Sequence, residues 1–363
     1  MNAPPPAATS ARGLLPLITA LGIGSVGGAL FAAMNLPLAW MIGAMTFTTA
    51  AAIGGVPMRV PRLLRGGMIM VLGVMLGSGF EPEIVDRIGG WSVSLSGLAV
   101  YLAIATLVGV LYLRRVARLD RVTSYFTATP GGLNEMVLAG SQMGGDDRVI
   151  SLVHAIRVML VVLTIPFAFQ ALGVYQPGSR GSLGPPLMAV AWQDMLLLGA
   201  CVAGYPVAKL LRVPAAQLVG PMVLSAVIHL LGITEGKPPG ALVAAAQVVI
   251  GASLGTRFAG LSWSLLGRNA WMALGLTVIM LAITVAAAAL LDRATGLGVA
   301  ALILAFAPGG LAEMSLIALA LHTDVALVAT HHIVRIVLIV TLAPAVFLLW
   351  RRFADGRGSA PGD

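Results

Sequence analysis

Pro130-Gly131-Gly132-Leu133-Asn134-Glu135-Met136 returns 178 residues later as Pro308-Gly309-Gly310-Leu311-Ala312-Glu313-Met314. Proline and paired glycines interrupt a helix and release backbone amides and carbonyls from their usual partners. In each copy a glutamate follows within the next turn. Both copies stand in strongly apolar surroundings, where a free backbone group and a charge are each costly. Function is therefore expected at these two breaks.

The surroundings set the class. The chain is 58% hydrophobic and 10% charged over 363 residues, with a mean hydropathy of +0.96. Soluble domains carry about a quarter charged residues. The expected fold is an all-α, polytopic integral membrane protein with 10–12 transmembrane segments in two homologous repeats. The net charge of +8 does not indicate nucleic acid, because the arginines sit in short loops beside apolar runs. The single cysteine, Cys201, excludes an intrachain disulfide and reads as a small packed residue.

Apolar segments are expected at 14–34, 37–56, 67–80, 91–113, 123–141 and 149–172, then at 192–211, 214–233, 241–256, 270–291, 299–321 and 325–350. This divides the chain into a disordered tail (1–13), a first membrane repeat (14–172), a linker (173–191), a second repeat (192–350) and a C-terminal tail (351–363). The halves match position by position. Leu36-Pro37 pairs with Val213-Pro214, Gly73-x3-Gly77 with Gly251-x3-Gly255, Asp146 with Asp324, His154 with His332, Arg157 with Arg335 and Pro166 with Pro344. A unit of about 160 residues has been duplicated.

Loop charge bears on orientation. In the first half Arg59, Arg62 and Arg65 follow segment two, and Arg114, Arg115, Arg118 and Arg121 follow segment four. In the second half Lys209 and Arg212 follow its first segment, and Arg257 and Arg268 its third. Cytoplasmic loops carry the excess Lys and Arg, so this shift fits two oppositely oriented repeats. Each would cross an odd number of times, with the Pro-Gly-Gly element re-entrant or broken, and both termini would be cytoplasmic. Six crossings per half in parallel is the rival count.

The candidate substrate- or ion-binding residues are Pro130, Gly131, Gly132, Asn134, Glu135, His154 and Arg157 in the first copy, and Pro308, Gly309, Gly310, Glu313, His332 and Arg335 in the second. Paired half-helices of this kind form the sites of secondary transporters. Glu135 and Glu313 either take a cation or proton or cap their half-helices. His154/Arg157 and His332/Arg335 each share a helix face. Arg157 is expected to pair with Glu135, Asp146 or Glu313, or else to bind an anion. Asp146 and Asp324 read as helix N-caps. His322, Asp324, His331 and His332 are the nearest approach to a metal-ligand cluster, but adjacent histidines diverge on a helix, and neither a metal nor a cofactor is assigned. The glycine pairs, including Gly24-x3-Gly28, suit close helix packing.

The doubled Pro-Gly-Gly-x-x-Glu-Met element and the His-x-x-Arg helix after it resemble the AbrB-type duplicated membrane proteins of Gram-negative bacteria, over about residues 14–350. (The DNA-binding regulator sharing that name is a different protein.) The resemblance implies a transporter-like group related to cation/proton-antiporter and anion-transporter folds. Its members carry labels of ammonia monooxygenase or of regulator of gene expression. The expected protein is a multi-pass inner-membrane secondary transporter of a small solute or ion, whose partners are the bilayer and that solute. Membrane monooxygenase and indirect regulator are the alternatives, and a homo-oligomer is left open. Reporter fusions after Arg65 and after Arg257 test the orientation. Opposite repeats place both fusions in the cytoplasm, and parallel repeats place them on opposite sides.

Overall fold

A computed structural model of the chain describes residues 11–80, 89–174, 184–260 and 263–356. Among these residues all regular structure is helical. The helices are α1 (Ala11–Ala33), α2 (Ala39–Ile53), α3 (Arg62–Gly77), α4 (Trp91–Arg115), α5 (Arg121–Ala128), α6 (Leu133–Gln142), α7 (Asp147–Ala171), α8 (Trp192–Ala200), α9 (Gly204–Leu210), α10 (Ala216–Leu230), α11 (Gly240–Gly255), α12 (Trp263–Thr295), α13 (Val299–Phe306), α14 (Leu311–Ala320) and α15 (Val325–Gly356). Among the described residues, six are long and apolar enough to cross a membrane. The remaining apolar segments are short or broken: α2 and α10 have 15 residues each, about 22 Å of helix. Leu107, Val278 and Leu290 stand 59–69% exposed, an outward apolar surface that suits lipid rather than water. The chain is an all-α, multi-pass membrane protein.

The first described helix begins at Ala11 and the last ends at Gly356. One local expectation needs correcting. The expected segment 192–211 is interrupted by a 3-10 turn at Cys201–Ala203 between α8 and α9. Pro206 stands there where the matched first-half residue is Ala29; it removes an amide and crowds the preceding carbonyl. The acidic loop residues Glu81, Glu83 and Asp86 and residues 175–183 of the expected linker lie outside the described residues, as do residues 1–10 and 357–363.

The halves share backbone peculiarities. Left-handed conformations occur at Asn35 and Arg212, at Leu38 and Ala215, at Arg118 and Gly296, and at Gly144 and His322. Each pair is separated by 177 or 178 residues. Non-glycine residues adopt this conformation at roughly 1 kcal/mol each, so matched strain reflects matched connections between helices.

The chain forms two compact units, and each draws on both halves. The first comprises residues 1–84, 162–266 and 315–325; the second comprises 85–161, 267–314 and 326–363. Inside the first unit, Gly73 and Gly77 of α3 bring the backbone against the carbonyls of Leu218 and Met222 in α10. Gly251 and Gly255 of α11 do the same to Met41 and Met45 in α2. The exchange is reciprocal, since Leu218 and Met222 are the sequence counterparts of Met41 and Met45. Ser225 Oγ donates to Val74 O at 2.8 Å across the first of these contacts. A leucine at Gly77 or Gly251 would drive a side chain into backbone, and overpacking of this kind costs about 1–3 kcal/mol. Thermal unfolding in detergent should show both variants well below wild type. Gly22→Leu, with nothing within 4 Å of its side-chain position, should unfold near the wild-type temperature.

Candidate functional site

Both Pro-Gly-Gly breaks lie in the second unit. The first joins α5 to α6. Asp120 starts α5, its Oδ1 accepting from Thr123 N at 2.9 Å. The helix stops before Pro130. There Thr129 Oγ1 donates to Tyr125 O at 2.8 Å, and Thr129 O accepts from Gly131 N at 2.8 Å. The chain then turns back. Asp146 N, beyond the end of α6, donates to Thr123 Oγ1 at 2.9 Å. Phe126 fills the space over Gly140, and Val122 that over Gly145. A straight helix would separate Phe126 and Gly140 by roughly 20 Å, so α5 and α6 form a hairpin with its tip at the Pro-Gly-Gly. A segment whose ends meet in this way does not span a layer.

Each glutamate folds back on its break. Gly132 is the N-cap of α6, with φ −65° and ψ 138°, and Glu135 is the third residue of that helix. Glu135 Oε2 occupies the place where a side chain on Gly132 would stand, and Glu313 Oε2 does the same at Gly310. This is the N3 position of a capping box, with the carboxylate at the positive end of the helix. Glu313 is buried and Glu135 half-buried. Pro130, Pro308 and Gly309 are buried, Gly131, Gly132 and Gly310 half-buried, and Asn134 is exposed on α6.

The second break, between α13 and α14, is held by the helix that follows it. Arg335 of α15 donates from Nη1 to Ala307 O at 2.5 Å and from Nη2 to Gly309 O at 2.7 Å. Its Nη2 also meets His332 Nδ1 at 2.8 Å. Arginine has no acceptor, so Nδ1 accepts, and Nε2–H donates to Leu304 O at 2.9 Å. One His-x-x-Arg face thus satisfies three carbonyls at the end of α13 and puts a cation at that helix's negative pole.

The first break lacks this clamp. Arg157 is 2% exposed, yet its Nε and Nη1 have no hydrogen-bond partner. His154 Nδ1 bonds Ile150 O of its own helix at 3.0 Å. The counterpart of Ala307 is Thr129, whose carbonyl already accepts from Gly131. The expected pairing of Arg157 with Glu135, Asp146 or Glu313 is therefore corrected. Glu135 and Glu313 lie over their glycines. Asp146 caps α7, its Oδ1 accepting from Arg148 N at 3.0 Å and Val149 N at 3.2 Å. The ionisable groups that bear on Arg157 among the described residues are Arg335, whose like charge repels it, and the neutral Tyr101 hydroxyl.

Tyr101 on α4 was not singled out from the sequence. Its hydroxyl sits 3.0 Å from Thr284 Oγ1 on α12, buried near both arginines. Thr284 donates to Met280 O at 2.8 Å, so Tyr101 is the donor in their shared bond. A tyrosine midway along an apolar span was the available signal. Beside the first break lies a cavity of about 640 Å³, lined by Leu102, Leu111, Tyr125, Thr129, Ile339 and Val346 among others; Ile339 also packs on Gly131. His331 and His332 point apart. His331 Nε2 is 3.0 Å from Ser94 Oγ, while His332 faces Leu304 and Arg335. Among the described residues no three His, Cys, Asp or Glu side chains gather as a metal site would require. Arg335→Gln removes two charge-assisted bonds onto otherwise unpaired carbonyls. It should destabilise the purified protein by about 3 kcal/mol, read as a lowered unfolding temperature with unchanged helix content at 20 °C.

Comparison with known proteins places this geometry in a family. The family model described as "Transition state regulatory protein AbrB" matches residues 40–351. A Bacillus subtilis (strain 168) protein named "Uncharacterized protein YhjN" is 26% identical over 356 residues, covering 91% of each chain. An Escherichia coli (strain K12) protein named "Putative regulator AbrB" is 27% identical over 333 residues, covering 91% of this chain and 94% of the relative. The match takes in both Pro-Gly-Gly copies and both His-x-x-Arg helices, and the chain belongs to the AbrB family.

Proposed function

We propose that the chain is a bacterial inner-membrane secondary transporter of a small solute, built from two inverted repeats, with its site at the two Pro-Gly-Gly breaks. The observation that carries this reading is the pair of breaks in one compact unit, each followed by a helix that carries a buried arginine, of which Arg335 clamps its break directly. Broken helices at membrane depth persist where protein or a water-filled cavity satisfies the backbone, and paired breaks between repeats are how secondary transporters bind solutes. Three further features support it. The α5–α6 hairpin leaves an odd number of crossings to the first half. The reciprocal contacts of Gly73/Gly77 and Gly251/Gly255 fit a two-fold relation between the halves. The cavity ending at Thr129 gives a solute access to the first break. In this reading Glu135 and Glu313 cap the half-helices, and His154, Arg157, His332 and Arg335 form the polar surround. A role in gene regulation, as in the family description, would follow indirectly from the concentration of the solute moved. The monooxygenase alternative finds no ligand set among the described residues.

Purified full-length protein in proteoliposomes, preloaded with unlabelled organic acids and amines, tests this by counterflow of labelled solutes. Wild type should exchange at least one of them. The Gly132→Leu/Gly310→Leu pair places side chains where Glu135 and Glu313 lie and should abolish exchange. Glu135→Gln/Glu313→Gln preserves the caps and should retain exchange. A folded leucine pair that exchanges at the wild-type rate overturns the site. A wild type that exchanges nothing, beside an active control transporter, overturns the transport reading.

A further inference from the structure

Two matched arginines in one unit do different work. Arg335 closes the second break through Ala307 O, Gly309 O and His332. Arg157 is equally buried, and two of its donors, Nε and Nη1, face no acceptor. At the first break Thr129 Oγ1 donates to Tyr125 O, and Thr129 O, the counterpart of Ala307 O, accepts from Gly131 N; neither Nε nor Nη1 of Arg157 reaches it. Among the described residues, the anionic groups expected to pair with Arg157 and the Tyr101 hydroxyl have other partners. Glu135 and Glu313 stand over their N-cap glycines, Asp146 caps α7, and the Tyr101 proton goes to Thr284.

We propose that Arg157 binds a small oxyanion, the head of the solute that this site takes. A buried unpaired charge is strongly unfavourable, and the repulsion from Arg335 adds to it. A carboxylate or phosphate relieves both terms. The Nε and Nη1 donors of a guanidinium form a fork that matches two oxygens of such a group. The same charges disfavour a cation beside Arg157. The inference rests on the paired-break site proposed above, and it names the class of solute.

Binding is tested without flux, on full-length protein in detergent, by thermal unfolding at constant ionic strength. The probes are sodium acetate, sodium succinate, inorganic phosphate and sodium sulfate, with methylammonium chloride as the cation. At least one oxyanion should raise the unfolding temperature saturably by about 2 °C or more, and methylammonium should not. A shift from carboxylates alone assigns an organic acid, and a shift from phosphate or sulfate alone assigns a phosphate-type group. Arg157→Gln should abolish the shift and, without anion, unfold no lower than wild type, since it removes an unpaired buried charge. Arg157→Lys keeps the charge but loses the fork, and should retain a weaker saturable shift. If Arg157→Gln cannot be recovered, the lysine variant decides: an undiminished shift overturns the proposal. It is also overturned if no probe shifts the wild type, if the shift survives in Arg157→Gln as an adventitious salt effect, or if Arg157→Gln is as destabilised as Arg335→Gln. Amine exchange by a protein that no oxyanion stabilises would overturn this inference and leave the transport reading standing. Oxyanion binding without exchange of any solute would do the reverse.

Discussion

A carbonyl at the end of a helix that stops inside a bilayer has no water to turn to, so a donor must come from the protein. The contact of Arg335 with Ala307 O and Gly309 O is that donor at the second break, and much of the second unit is arranged to deliver it. The arginine can be buried because α15 lays His332 beside it, and His332 in turn reaches the carbonyl of Leu304. Further along α15, Ala343 O accepts from Tyr125 at 2.9 Å, and Phe347 packs on Tyr125 and Phe126. The helix that satisfies the second break thus also braces the hairpin of the first.

The two breaks show that matched sequence need not give matched chemistry. Both copies keep the proline, the glycines, the glutamate, the histidine and the arginine. At the first break Thr129 O accepts from Gly131 N, and two donors of Arg157 are left without an acceptor. Similar divergence lies elsewhere in the chain: Ser225 bonds across to Val74, while its counterpart Thr48 bonds Ala44 and Met45 of its own helix. In each case matched positions differ by one or two side-chain atoms, and different carbonyls are bonded.

Much of the fold was legible because membrane helices are written in long apolar runs. The segment limits expected at 37–56, 91–113 and 149–172 fall within a few residues of α2, α4 and α7, and the breaks fall where proline and glycine dictated. The site was less legible. Spacing showed that His154 and Arg157 share a face, but which carbonyls were already satisfied depends on hairpin geometry, which spacing does not encode. The natural guess, a buried ion pair, failed because each carboxylate had a nearer use at a helix start. Tyr101 and Thr284 were invisible for another reason: each is ordinary within its own helix, and only the packing of α4 on α12 makes them neighbours.

The reciprocal glycine contacts of the first unit carry a consequence for biogenesis. Gly73 and Gly77 on α3 rest against α10, some 145 residues downstream. During synthesis α3 therefore waits on the order of 10 s for the α10 surface that these glycines fit. Each compact unit draws on both halves, so neither unit is complete until the second half has been made.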